Sequence, residues 1–181
     1  MAGDDGAVLV EFALIMPILM IFLFGIVEFG INLNDFQSLR QAVREGARQA
    51  VVGDYGTNST CPMVGLTASA PTSVKQVICT TKARSGVGNQ SDVRVKVVVT
   101  NNAAPDATST TYTNDNVKVC VAKKASSVTG LLSPFLNSVV LKSSIQMRAE
   151  KELSLGAAEG TTASYEETYP STSGNWAQAG C

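Results

Sequence analysis

The chain contains no histidine, which excludes Ser-His-Asp and Cys-His triads, imidazole proton shuttles and His-ligated metal sites. There is no C-x-x-C pair either, so a zinc site built on the four cysteines is disfavoured. Aromatic residues make up only 6% of the 181 residues and charged residues only 16%. Bases are missing altogether from residues 1–33, which carry four acids, Asp4, Asp5, Glu11 and Glu28. All 14 Lys and Arg therefore lie in residues 34–181 with the other 11 acids, a sum of +3 for that part. So small an excess, with few aromatics among the bases, is a poor electrostatic footprint for nucleic acid, and no nucleic-acid partner is expected. A chain of this length holds one domain, or one domain with an appendage.

What the sequence has in abundance is apolar surface at one end. Of the 27 residues from 7 to 33, 21 are apolar, and residues 12–27 (FALIMPILMIFLFGIV) carry no charge. At about 1.5 Å per helical residue, residues 12–33 span roughly 30 Å, the thickness of a bilayer core. A buried core helix of this length would keep a polar face. A cleaved secretory signal would begin with Lys or Arg and end in a small-x-small site, and neither feature is present. Residues 7–33 are therefore expected to form a transmembrane helix. The periodicity continues beyond it. In residues 34–53 apolar or small residues recur at Leu39, Ala42, Val43, Gly46, Ala47, Ala50 and Val51, with Arg40, Arg44 and Arg48 as a second stripe at i+4 spacing. One helix is expected from about residue 7 to 52, kinked at Pro17. The arginine stripe reads as a solvated face, or as a contact with lipid phosphates or an acidic partner.

Within this helix, Gly6 precedes the apolar run and Glu11 places a lone carboxylate five residues after it, followed by Phe12. An ionisable group inside an apolar span is costly and points to function. The constellation resembles the processing site of type IV prepilin-like proteins, which implies cleavage between Gly6 and Ala7 by a prepilin peptidase and removal of residues 1–6 as a leader. The string VEFALIMPILMIFLFGIVEFG, followed by QAVREGARQAVVG, resembles more narrowly the N-terminal region of TadE-like proteins, minor pilins or pseudopilins of tight-adherence (Tad) secretion systems. That family typically has a VEFAL-P-LL opening, a second acid near the end of the apolar run and an A-x-x-A-R-x-G-A-R-x-A helix, whose closing R-x-G-A-R-x-A is matched here within residues 42–50. Residues 143–150 also look like its last strand. The leader, MAGDDG, departs from the family in being short and acidic rather than basic.

The remaining sequence reads as an outer α+β domain over residues 54–153. Residues 73–82 suit a short helix. Residues 92–100 (DVRVKVVVT) and 116–122 (NVKVCVA) alternate like half-buried antiparallel strands, and 138–153 supplies a third. Residues 101–115 read as a hairpin loop and 128–136 as an apolar connection with room for a helical turn before Pro134. Residues 154–181 read as an irregular tail. The fold expected is a long N-terminal helix packed on a small antiparallel sheet of about three strands. Cys61, Cys79, Cys120 and Cys181 allow three disulfide pairings that spacing does not settle; Cys61–Cys79 and Cys120–Cys181 are favoured, each worth about 3–4 kcal/mol. Ser126-Ser127 beside Lys123-Lys124, and the pair Glu166-Glu167, read as solvated surface.

Positive charge after the span would place the outer domain in the cytoplasm by the positive-inside rule, whereas the cysteines and the Ser/Thr-rich strands suit an oxidising exterior. The cysteines and the Gly6/Glu11 motif favour a single-pass protein of the cytoplasmic membrane with its domain outside. Neither a cofactor, a metal nor a catalytic constellation is expected. The resemblance implies a structural subunit whose partners are other pilin subunits through the helix, the prepilin peptidase, and lipid before assembly. In that role Glu11 sets register against the Ala7 ammonium of a neighbouring subunit. The alternative is a membrane-anchored scaffold or binding domain of a secretion apparatus that is not polymerised.

Overall fold

Residue spacing along the first 52 residues dictates a single long helix, and the computed structural model has one, α1 (Asp4–Val52), with Pro17 inside it. The model describes residues 4–57, 60–66, 69–100, 116–130, 132–136, 138–149, 155, 161–171, 174–177 and 180–181. The expected hairpin loop at 101–115 lies outside the described residues. α1 is followed by α2 (Thr72–Arg84), a 3₁₀ turn (Gln90–Asp92), β1 (Val93–Thr100) and β2 (Asn116–Lys124), and then by α3 (Ser133–Leu136), β3 (Val140–Arg148) and β4 (Thr162–Glu166).

The strands form one antiparallel sheet in the order β3-β2-β1-β4. Alternation in β1 sends Val93, Val95, Val97 and Val99 to one face, and Val117, Val119 and Val121 of β2 join them. Against this face pack Leu39, Val43, Ala47 and Ala50 of α1 and Val74, Val77 and Ile78 of α2. The second half of α1 is thus part of the core, as a sheet this small requires. Small residues let α1 and α2 approach closely. A Cβ on Gly46 would lie 2.1 Å from Thr81 Oγ1 and 3.2 Å from Thr81 Cβ, while that hydroxyl is already committed to the Val77 carbonyl at 2.7 Å.

Both favoured disulfides are present, Cys61–Cys79 and Cys120–Cys181. Three expectations need correction here. The sheet has four strands, because Thr162–Glu166 of the expected irregular tail pairs with β1. The pairing covers the row of backbone groups that β1 would otherwise leave open, and buries Tyr165. The helical turn of the apolar connection contains Pro134 rather than preceding it, since the first turn of a helix has no need of the donor that proline lacks.

The other correction concerns Glu167. Glu166 is half-exposed and pairs with Lys96 at 2.8 Å, but Glu167 is buried and meets the buried Lys82 ammonium at 2.7 Å. Its Oε1 also accepts from Val64 N at 2.9 Å and its Oε2 from Val95 N at 2.8 Å. Lys82 donates in addition to the Pro62 carbonyl. Burial pushes the Lys82 ammonium below its ordinary pKa, and the Glu167 carboxylate opposes that shift. Removing one member strands the other. Glu167→Ala is expected to destabilise the fold by about 3–5 kcal/mol, read from denaturant unfolding of the detergent-solubilised chain through its single tryptophan, Trp176. The pair Lys82→Met with Glu167→Leu is expected to recover part of that loss.

Candidate functional site

The helix α1 meets two surroundings, and the boundary is a seam of polar contacts. Up to Val27 its large apolar side chains are exposed; from Glu28 onward one face is covered. The covered residues Glu28, Asn32, Leu39, Ala42, Val43, Gly46, Ala47 and Ala50 recur every three or four positions, the spacing of one helix face. The polar members come first. They hold the connection that leaves β2.

Glu28 Oε1 accepts from Ser127 Oγ at 2.6 Å, from Thr129 N at 2.9 Å and from Thr129 Oγ1. Asn32 Nδ2 donates to the Glu28 carbonyl at 2.9 Å and across the seam to the Ser126 carbonyl at 3.3 Å. One turn on, Asp35 pairs with Lys123. The loop is shaped to deliver these donors. Ser127 Oγ also accepts from Gly130 N at 3.0 Å, and Gly130 sits at φ +78°, a conformation that favours glycine. Glu28 Oε2 and Asn32 Oδ1 are buried without a partner among the described residues. Ser127 is therefore no solvated surface residue, and neither is the buried Lys123.

The residues singled out from the sequence lie away from this seam. Gly6, Ala7, Glu11 and Phe12 are on the exposed arm of α1, and no described residue of the outer domain is brought to them. Arg40, Arg44 and Arg48 share the exposed side of the second half. Arg40 stands over the Phe36 ring at 5.7 Å. Arg48 donates to Glu45 at 3.0 and 2.9 Å and, by that contact, holds the Glu45 carboxyl below its ordinary pKa. Glu28 was visible only as a second acid in the apolar run. Its signal is the stripe itself, because stepping back from Leu39 by four, three and four residues reaches Asp35, Asn32 and Glu28.

One helix is long and apolar enough to cross a membrane, and it runs without a break into the core of an α+β domain. The family model for TadE-like proteins matches residues 6–48, so this N-terminal region is TadE-like. The match takes in the exposed arm, Glu28, Asn32, Asp35 and the small-residue face as far as Arg48. It points to a structural family and supports a pilin-like role associated with Tad systems. Residues 143–150, likened above to the last strand of that family, fall outside it. No curated protein and no solved structure matches the chain significantly.

Truncating Glu28 would remove the acceptor shared by three donors of the β2–β3 connection. Glu28→Ala is expected to lower the denaturant midpoint of unfolding and to abolish hydrogen-exchange protection at the Thr129 amide; Glu28→Gln, which keeps a carbonyl acceptor, loses less of both.

Proposed function

We propose that this chain is a minor pilin or pseudopilin of a Tad-type pilus, cut after Gly6 by a prepilin peptidase and assembled through α1 into a filament or its initiating or tip complex. The observation that carries the reading is the arm. Sixteen large apolar side chains between Val8 and Val27 are exposed around α1, inside the TadE-like match. So large an apolar surface demands cover: lipid before assembly, and the arms of neighbouring subunits afterwards.

In this reading Glu11 is the register device. In an apolar packing of helices an unpaired carboxylate is costly, and the Ala7 ammonium exposed by cleavage offers a partner one subunit away. The outer domain faces the extracytoplasmic side, which its two disulfides favour. The protein works by assembly, for adhesion or secretion, and the reading assigns it no catalysis.

The mature N-terminus tests the proposal. Intact-mass and N-terminal sequencing of the membrane-purified protein are expected to start at Ala7, and an intact Met1 or Ala2 would overturn pilin-like processing. Glu11→Ala is expected to be cleaved normally yet fail to enter assemblies with other subunits; normal incorporation would refute the register role.

A further inference from the structure

Beside the seam, where β1 begins and β2 ends, lies a cleft of about 330 Å³, about the volume of ten waters. Its walls include Arg94, Lys123, Lys124, Ser126, Asp92 and Pro170. Three cations and one carboxylate line it, an excess of positive charge. Lys123 is paired with Asp35 of α1, and Asp92 accepts from Asn89 Nδ2 at 3.4 Å. Lys124 is exposed, and Arg94 Nη1 is buried with no acceptor among the described residues. A buried guanidinium nitrogen without an acceptor costs free energy until one arrives. A planar, forked donor beside an ammonium is matched to a phosphate oxygen pair.

The place of the cleft in the fold indicates where that phosphate comes from. Two wall residues are tied to α1: Ser126 at Asn32, and Lys123 at Asp35. Asn32 lies in the last turn of the span expected from the sequence, residues 7–33, and Asp35 two residues beyond it, about 3 Å along the helix axis. The headgroup layer of a bilayer extends roughly 5–8 Å outside its hydrocarbon core. With the arm in a membrane, the cleft opens at the headgroup level or just outside it. The same connection that carries Ser126 also exposes Val128 and Phe135, 66% and 74% accessible, apolar side chains suited to the same interface.

We propose that this cleft binds a phosphate anion through Arg94 and Lys124, and that its source is the headgroup of an anionic phospholipid, held while the subunit is anchored in the membrane. The lipid source rests on the membrane-anchored reading, whereas the anion chemistry does not.

The test uses the full chain in a neutral detergent, titrated calorimetrically with monomeric dihexanoyl phosphatidylglycerol and, separately, with inorganic phosphate. Saturation by the lipid near one equivalent is expected, with weaker binding of inorganic phosphate. Arg94→Gln and Lys124→Gln are each expected to weaken lipid binding by about tenfold, and Lys75→Gln on α2, which removes the same charge elsewhere, to leave it unchanged. Lys124 is exposed, so its variant remains informative if the Arg94 variant folds poorly. Inorganic phosphate binding as tightly as the lipid would overturn the headgroup as the source while supporting the anion site. Absence of binding by both ligands, or equal loss in the Lys75 variant, would overturn the site. Because the titration uses uncleaved protein, its outcome is independent of whether the chain is cut after Gly6.

Discussion

A carboxylate buried at Glu28 sets the position on α1 at which the outer domain begins. The helix is continuous from Asp4 to Val52, so no turn or hinge marks the change from exposed arm to covered core. The mark is made by side-chain chemistry. Glu28 removed from water needs donors, and among the described residues the β2–β3 connection brings them, with Ser127 and Thr129 on one acceptor oxygen. Asn32 and Asp35 repeat the demand on the following turns and are met by Ser126 and Lys123. Apolar packing then takes over at Leu39. Hydrophobic contact alone would tolerate a slide of the sheet along a helix whose faces are apolar for several turns. Directional hydrogen bonds to one carboxylate do not.

The elements read from periodicity were the ones that periodicity governs. The single helix followed from the unbroken apolar run and the i+3, i+4 stripe, and β1 and β2 from alternating valines. The two favoured disulfides join the segments that loop chemistry marked as needing a tie. The fourth strand escaped because Thr162–Glu166 offers only Ala163 and Tyr165 to the inner face; its position is decided by the open edge of β1, a tertiary fact. Glu167 and Ser127 escaped for a related reason. Their partners, Lys82 and Glu28, stand 85 and 99 residues away, and nothing in the local sequence distinguishes a buried polar group with such a partner from a solvated one. The arginine stripe and the Gly6/Glu11 motif were legible as patterns, but they lie on exposed faces, where Glu45 and Phe36 are the neighbours that contact the arginines directly among the described residues.

The domain beyond the TadE-like match is secured at a few points that are used more than once. Cys79 and Lys82 lie one turn apart on α2, and both hold the segment that follows α1, the first through Cys61 and the second through the Pro62 carbonyl. Lys82 also engages Glu167, whose backbone carbonyl accepts from Trp176 Nε1 at 2.8 Å. Trp176 packs with Cys120 and Ala122 on the face of the sheet opposite the helices, and Cys181 is bonded to Cys120. Ion pair, tryptophan and disulfides thus form a chain of ties from α2 through β4 to the C-terminal residue. A sheet with helices on one face only gains a cover on the other by this route.

Because α1 passes from the arm into the core without interruption, the heading of the outer domain about the arm is a matter of residue count. Each residue of an α-helix turns the chain by about 100°. Pilin-like packing of the arm would present Glu11 to a neighbour in one direction, and Glu28 would then dictate the direction in which the sheet projects, 17 residues and nearly five turns later. A deletion or insertion between those two acids would leave both local environments intact and swing the domain to another side of the shaft. On the assembly reading proposed above, the separation of the two carboxylates is an angular setting, and the helix a key whose teeth are cut at both ends.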